Sequence, residues 1–193
     1  TQEVSLRSPT LAQESVSDVQ TALIGRQSTR TVGWIDPLAQ TFLIDNPSGA
    51  FITSMDKFFK TKDLAIPVTL QIRGVVNGYP SNEILAFGEV VKDAVDVTVS
   101  ADATSATNFV FPSPVYLRQN QEYAICLLAN SNQYEAYVAE IGKNSIGTTR
   151  RISSQPYAGV FFKSQNGSTW SADQTKDLKF KINRAEFDIT ASG

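Results

Sequence analysis

The stretch that decides the fold is residues 122–130, EYAICLLAN, the longest nearly continuous apolar run in the chain. Polar turn-forming residues close it on both sides, and a run of this length favours one β-strand over a helix. Alternate side chains of a strand point to opposite faces. One face would carry Tyr123, Ile125 and Leu127, and the other Ala124, Cys126 and Leu128. Because both sets are apolar, the sequence predicts a central strand that is covered on both faces.

Short segments with a strand-like pattern continue from this run in both directions. The predicted strands are 41–44, 51–60, 67–74, 84–91, 95–99, 109–111, 115–117, 122–130, 134–141, 160–163 and 177–187. Turn-forming residues separate them, and no helix is predicted after residue 33. The longer irregular connections at 77–82 and 142–159 favour crossings of the jelly-roll kind over an up-and-down barrel. The predicted fold class is all-β, an antiparallel two-sheet sandwich that is jelly-roll-like.

Three local expectations follow from the same patterns. In the strand 67–74, Val68, Leu70 and Ile72 would point inward, and Thr69, Gln71 and Arg73 outward. Pro80 follows the Asn-Gly pair so closely that residues 77–82 are predicted to form a loop rather than a tight hairpin. A β-bulge, or cover on both faces, is expected at 58–59, and a second bulge after residue 183, where the apolar phase shifts.

The composition restricts the classes of function. The chain has 193 residues, 41% hydrophobic and 19% charged, which suits one folded domain with an appendage. A formal net charge of −2 does not indicate a nucleic-acid partner. A single cysteine excludes an internal disulfide and a cysteine-based zinc site, and the lack of histidine removes the commonest general base and metal ligand. No apolar run approaches the ~20 residues that span a bilayer, so no membrane contact is predicted.

Residues 1–33 are polar and form a predicted arm or linker ahead of a sandwich domain at 34–193. Four apolar side chains in this arm have helix-like spacing: Val16, Val19, Leu23 and Ile24. Because that stripe is narrow, an isolated helix would be marginal in water. Two interpretations stay open: a flexible linker, or an arm with one short helix that becomes ordered on another chain or on the second face of the central sheet. The start at Thr1, without methionine, favours a piece of a longer polypeptide over a processed product.

Catalysis and metal binding are not predicted. Carboxylate pairs for acid and base catalysis could come from Asp36, Asp45, Asp56, Asp63 or Glu83. All but Asp56 fall at expected strand ends or turns, where acidic side chains serve the backbone. A serine nucleophile would lack a histidine base, and no glycine-rich phosphate loop occurs. Acidic residues are scattered and form no calcium-loop pattern. We therefore expect a protein that is not an enzyme and that uses no cofactor.

Aromatic side chains beside polar loops are the candidates for contact with a ligand or a partner. Tyr79 lies in a Gly-Pro loop, Tyr157 follows a proline, and Trp170 ends a polar stretch. Stacking on sugar rings would require these aromatic rings to be exposed. The alternative is that each ring holds its own loop against the body of the sandwich.

Several stretches occur together in one order along the chain. They are DPLAQTF at 36–42, NGYPS at 77–81, QPY at 155–157, FKSQNGSTW at 162–170, and DLKF at 177–180 with Arg184 and Ala185. The pattern resembles a β-sandwich domain of large virion structural proteins from contractile-tailed bacteriophages, including cyanophage-type viruses. DPLAQTF is the most specific of these stretches. The resemblance implies a virion tail component, in the baseplate or at a fibre attachment, whose partners are other tail proteins, and it implies no catalytic residues.

Two hypotheses therefore compete. In the first, the chain is a structural module that holds neighbouring proteins in a tail assembly. In the second, it is a carbohydrate-binding adhesin module that contacts the host surface. Convergence of Tyr79, Tyr157 and Trp170 in one open groove would favour adhesion, whereas burial of each ring under its own loop would favour assembly.

Overall fold

The computed structural model describes residues 33–140 and 159–185. Within these ranges the chain forms β-strands and one short 3-10 turn, Ala94–Asp96. The strands are β1 (Leu38–Leu43), β2 (Ala50–Thr61), β3 (Val68–Val76), β4 (Tyr79–Lys92), β5 (Ala106–Leu117), β6 (Glu122–Ala129), β7 (Glu135–Ala136), β8 (Val138–Glu140), β9 (Phe161–Ser164), β10 (Trp170–Asp173), β11 (Lys176–Leu178) and β12 (Phe180–Arg184). No described residue belongs to a helix long and apolar enough to cross a membrane.

The strands form two antiparallel sheets that pack face to face. The larger sheet has the order β10-β9-β1-β6-β3-β4, and the second has the order β12-β2-β5, with β7 also paired to β2. A separate ribbon pairs β8 with β11. The chain passes between the two sheets repeatedly: β2 and β5 lie in the second sheet, whereas β1, β3, β4 and β6 lie in the larger one. The predicted all-β, antiparallel, two-sheet sandwich is confirmed.

The strand β6 lies at the centre of the larger sheet, between β1 and β3, and both of its faces are buried. Tyr123, Ile125 and Leu127 face the core between the two sheets, which we call the inter-sheet core. The opposite face of the sheet carries a second group, which we call the outer cluster: Ala39, Ala124, Cys126, Leu128, Phe162 and Trp170. The predicted double cover of this strand is therefore confirmed.

The loop between β9 and β10 helps to cover the outer cluster. Its Gly167 has a φ of +75°, and a Cβ built there would lie 3.2 Å from Cδ2 of Leu128 and 3.0 Å from Cδ1 of Trp34. Glycine is needed at this position because the backbone is left-handed and lies close against both side chains. Part of the cover thus comes from residue 34 and part from a hairpin more than 120 residues later in the chain.

The connection after β3 corrects the predicted loop at 77–82. Asn77 and Gly78, with φ values of +52° and +82°, form a two-residue turn that joins β3 directly to β4. Val76 and Tyr79 flank this turn and form a hydrogen-bonded pair. Because the two kinds of pair alternate, Val75 and Pro80 form a non-hydrogen-bonded pair, in which the proline nitrogen points away from β3. Because β4 is the last strand of its sheet, the missing N–H removes no ladder hydrogen bond.

Other expectations were partly wrong. Residues 95–99 do not form a regular strand; they follow the 3-10 turn, and Nζ of Lys62 donates to the carbonyls of Ala94 (2.8 Å) and Val97 (2.7 Å). Residues 170–173, which are not among the predicted strands, form β10. A register shift occurs at the predicted place, between Asn183 and Arg184, but the extra residue is Thr53 of β2 and not a residue of the last strand. The predictions for residues 1–32 lie outside the described residues.

Candidate functional site

The structure places the predicted contact residues in different environments. Trp170 is only 6% exposed and belongs to the outer cluster, so it is not an accessible stacking platform. Tyr79 is 51% exposed, and the centre of its ring lies 5.6 Å from that of Phe162 in the same cluster. Tyr157 and the arm residues Val16, Val19, Leu23 and Ile24 lie outside the described residues. The burial of Trp170 agrees with the alternative in which the aromatic ring holds its own hairpin against the body of the sandwich.

The alternation of β3 correctly separates its two faces, but the outward side chains are buried rather than solvated. Arg73 donates from Nε to Oε1 of Gln71 (2.8 Å) and from Nη1 to the carbonyl of Gly167 (2.7 Å). Its guanidinium carbon lies 5.9 Å from the centre of the Trp170 ring, within the range of a cation–π contact. Gln71 in turn donates to the carboxylate of Glu89 (2.5 Å). Arg73 therefore links the β9–β10 loop to β3.

The β9–β10 loop is also ordered from within. The hydroxyl oxygen of Ser164 accepts from the backbone N–H of Gly167 (2.9 Å) and donates to the carbonyl of Thr169 (2.6 Å). The side-chain oxygen of Asn166 accepts from the N–H groups of Ser168 (2.9 Å) and Thr169 (2.8 Å). Such short side-chain-to-backbone bonds fix a turn without a long-range partner. The polar stretch that precedes Trp170 thus has a structural use.

A polar groove runs between β7 and the β9–β10 hairpin, with a volume of about 1040 Å³. Its charged lining side chains are Asp36, Glu135 and Lys163, and its uncharged polar ones are Tyr134, Ser164, Gln165, Asn166, Thr169 and Ser171. This mixture of carboxylate, amide, ammonium and hydroxyl groups can donate to and accept from the hydroxyls of a sugar. Thr169 and Ser171, the chain neighbours of the predicted contact residue Trp170, both line this groove.

Exposed large hydrophobic side chains concentrate on the β3–β4 hairpin. We call the following set the hairpin-edge surface: Val76, Tyr79, Ile84, Phe87 and Val91. Each of these side chains is at least 40% exposed. The exposed charges between Tyr79 and Val91 are both carboxylates, Glu83 and Glu89. Exposed apolar side chains that are bordered by charged residues are typical of surfaces that contact another protein.

Phe87 stands at the most irregular point of this surface. Glu89 pairs with Gln71, and Ile84 pairs with Arg73, so the four residues 85–88 lie opposite the single residue Ile72. Phe87 has a φ of +63° and is 57% exposed. Leu85 packs on the inter-sheet core, and a Cβ on the buried Gly88 would lie 2.9 Å from the carbonyl oxygen of Leu85. The two ends of the bulge are therefore held, and Phe87 projects between them.

Exposed large hydrophobic residues also occur elsewhere on the sandwich: Ile35, Leu43, Phe51, Leu64, Val95, Val99, Val110, Tyr116 and Val138. On the second sheet, the rings of Phe51 and Tyr116 lie 4.9 Å apart across a strand pair. At a loop tip, Leu64 is 92% exposed beside Asp63, whose carboxylate accepts from the N–H of Ile66. That bond, together with the hydroxyl of Ser131 and the N–H of Ala65, lowers the pKa of Asp63 to about 2.

Sequence reasoning found neither the hairpin-edge surface nor the arginine link. The run at 84–91 is apolar without clean alternation, and it contains a glycine; an internal glycine in a strand is a signal of a bulge. No group of three or more metal-ligating side chains occurs within residues 33–140 and 159–185. No protein-family model, curated protein or solved structure matches the chain.

Proposed function

We propose that the chain is a non-enzymatic structural module of a contractile-tailed phage virion, which acts in tail, baseplate or fibre-attachment assembly through protein–protein contacts. The observation that carries this proposal is the hairpin-edge surface. Five large hydrophobic side chains lie exposed on one β-hairpin, and exposed apolar side chains grouped on one element favour a contact with another macromolecule. The resemblance described above supplies the class of assembly.

Contacts between the resembling stretches also support the proposal. Gln40, in DPLAQTF, is fully buried; its Oε1 accepts from the backbone N–H of Leu178 (2.9 Å). Its Nε2 donates to the carboxylate of Asp177 (3.2 Å), which belongs to DLKF. The stretch NGYPS forms the turn into β4, and FKSQNGSTW forms the β9–β10 hairpin. Two of the stretches that carry the resemblance, DPLAQTF and DLKF, are thus joined by the hydrogen bonds of Gln40, and QPY lies outside the described residues.

Localisation in particles tests this proposal. Antibodies raised against residues 34–185 would be applied to purified virions of the phage that encodes the chain, followed by gold labelling and electron microscopy. We expect label at the tail, concentrated at the baseplate or fibre attachment. Virions that contain no trace of the chain by mass spectrometry would contradict the proposal.

The second candidate function, a carbohydrate-binding adhesin, is favoured by the polar groove. A glycan array would compare the wild-type chain with Lys163→Ala, which alters the groove, and with Lys181→Ala, an exposed lysine on β12 as the matched control. Selective binding that is lost only in Lys163→Ala would favour adhesion over assembly. Loss on Tyr79→Ala would instead place the sugar on the exposed tyrosine.

A further inference from the structure

One edge of β4 is paired with no strand among the described residues, and it is built in a way that opposes strand addition. β4 is the last strand of the larger sheet, and an unprotected edge strand is a template for pairing with another strand. Here Pro80 lacks an N–H, residues 81–83 bulge opposite Gly74, and residues 85–88 bulge opposite Ile72. Proline and bulges are the devices that block edge-to-edge pairing. Any protein that binds this edge must therefore contact side chains rather than extend the sheet.

The conformation of Phe87 works against the stability of the isolated chain in two ways. A left-handed backbone at a bulky side chain costs roughly 1–2 kcal/mol, which glycine or asparagine would largely avoid. More than half of the surface of the Phe87 residue remains in water. Strained residues of this kind concentrate at contact and switch sites, where the strain serves another purpose. The strain and the exposure together favour a contact that is made outside the residues that the structure describes.

The charges beside Phe87 define the partner. Glu83 and Glu89 lie before and after Phe87 in β4 and are both exposed, so the exposed charges that neighbour Phe87 along this strand are acidic. A second copy in a symmetric contact would bring like charges together, which is unfavourable. A basic rim on a different protein would instead attract these carboxylates and speed association.

We infer that Phe87 is an anchor side chain that inserts into an apolar pocket of a different protein, and that lysine or arginine residues at the rim of that pocket pair with Glu83 and Glu89. This inference rests on the proposed function, because it names the kind of partner that the structural module engages. Anchors of this type are large, rigid side chains at the centre of an interface, and their truncation removes much of the affinity. Phe87→Ala is expected to weaken binding about 30-fold or more.

Photo-crosslinking tests the contact in the full chain. Phe87→p-benzoylphenylalanine would be produced in cells in which particles assemble. Leu64→p-benzoylphenylalanine is the matched control, because Leu64 is exposed and apolar but does not belong to the hairpin-edge surface. After irradiation, we expect position 87, and not position 64, to give a crosslink to one other polypeptide. Mass spectrometry would locate the crosslinked peptide, and the purified partner would then be used in binding measurements.

The outcomes separate the inference from the proposed function. The inference stands if the crosslinked site is apolar with basic neighbours, and if both Phe87→Ala and Glu83→Lys with Glu89→Lys weaken binding of the purified partner. A crosslink to a second copy, equal crosslinking from both positions, or no effect of charge reversal would overturn it. If the chain is found in virions but position 87 gives no crosslink, the inference fails and the proposed function stands.

A stability measurement tests the strain independently of any partner. Phe87→Asn and Phe87→Ala both remove the ring, but only asparagine readily adopts a left-handed backbone. We expect the melting temperature of Phe87→Asn to exceed that of Phe87→Ala by about 2–4 °C. Equal melting temperatures of the two variants would show that the left-handed backbone at position 87 costs no measurable stability.

Discussion

The inter-sheet core and the outer cluster lie on opposite faces of the same sheet, yet they are held together differently. The inter-sheet core joins two extended sheets through many large apolar side chains. The outer cluster is small, and part of its cover is a single hairpin loop that hydrogen bonds hold in place. Apolar area is therefore the main source of cohesion in the first, whereas polar links decide the position of the cover in the second.

Two buried cations show the same difference. Arg73, at the outer cluster, donates to two oxygens within 2.8 Å and stacks near an aromatic ring. Lys57 projects into the sandwich, is fully buried, and its Nζ has no hydrogen-bond partner among the described residues. Its Nζ lies 5.2 Å from the centre of the Phe180 ring, and burial lowers its pKa well below the usual value. We therefore expect the partnered Arg73 to stabilise the outer cluster and the buried Lys57 to destabilise the inter-sheet core.

The largest expected effect comes from two neighbouring phenylalanines of β9. Phe161 lies in the inter-sheet core and Phe162 in the outer cluster, and both are at most 2% exposed. We expect Phe161→Ala to destabilise by about 5 kcal/mol and Phe162→Ala by about 3 kcal/mol. The same atoms are removed in both variants, so the difference measures how far each region can collapse into the space left behind.

Denaturant unfolding of both variants would check this difference. The comparison is valid if the free energy of unfolding falls with denaturant concentration at the same slope in both. Tyr79 and the β9–β10 loop can move toward the space vacated by Phe162, whereas two facing sheets cannot close on the space left by Phe161. If Phe162→Ala were the more damaging change, the outer cluster would be the more rigid region and the comparison would be reversed.

The next effect sharpens the role of polar links in the outer cluster. Arg73→Met keeps much of the side-chain volume but removes the donors to Gly167 and Gln71, and we expect a loss of about 3 kcal/mol. Arg118→Met, at an exposed position after β5, is the matched control and should change stability by less than about 0.5 kcal/mol. Limited proteolysis adds a local test: trypsin should cleave after Lys163 faster in Arg73→Met than in the wild type. Unchanged cleavage would mean that the loop does not depend on Arg73.

Lys57 is expected to give a change of opposite sign. Lys57→Met should raise the free energy of unfolding by about 1–4 kcal/mol, because an apolar side chain replaces a buried cation without hydrogen-bond partners. Lys60→Met, in the same strand but exposed, is the control and should have little effect. Destabilisation by Lys57→Met would show that favourable contacts of the Lys57 amino group, such as that with the Phe180 ring, outweigh the cost of its burial.

The pH dependence of the same variant follows from the lowered pKa. Between the folded pKa of Lys57 and its usual value near 10.5, the unfolded chain binds more protons than the folded chain. Stability of the wild type should therefore rise as the pH is raised toward 10.5, and fall as the pH is lowered toward the folded pKa. The advantage of Lys57→Met over the wild type should narrow accordingly between pH 7 and pH 10. A constant difference across that range would mean that Lys57 does not titrate abnormally.

Alternation along a strand was enough to predict the inter-sheet core. Tyr123, Ile125 and Leu127 face it as expected, and so do Val68, Leu70 and Ile72 of β3. This succeeds because the period of two in a strand is local, and an apolar face must meet another one. The same reasoning found the second apolar face of β6 but not its cover, since Gly167 reaches it from a distant hairpin.

The candidate surface was harder to predict because it depends on strand order. Whether Pro80 ends a strand or lies at a sheet edge is decided by the neighbours of β4, which the local pattern does not contain. The burial of Trp170 likewise depends on Arg73, which in an alternating strand looks like a solvated side chain. The exposure of Phe87 follows from a register shift, and a register is a property of two strands.

The smallest effect concerns Cys126, which was predicted to be buried and is fully buried in the outer cluster. Burial raises the pKa of its thiol to about 12, so the reactive thiolate is scarce at pH 8. Cys126→Ser should retain the fold but destabilise it by about 1–3 kcal/mol, because a buried hydroxyl is left without a good partner. Native wild-type protein should react slowly with a thiol reagent, and Arg73→Met should accelerate that reaction if the hairpin loop shields the outer cluster. Rapid labelling of the native wild type would instead show that the cover opens readily, and that the outer cluster is held more weakly than its hydrogen bonds indicate.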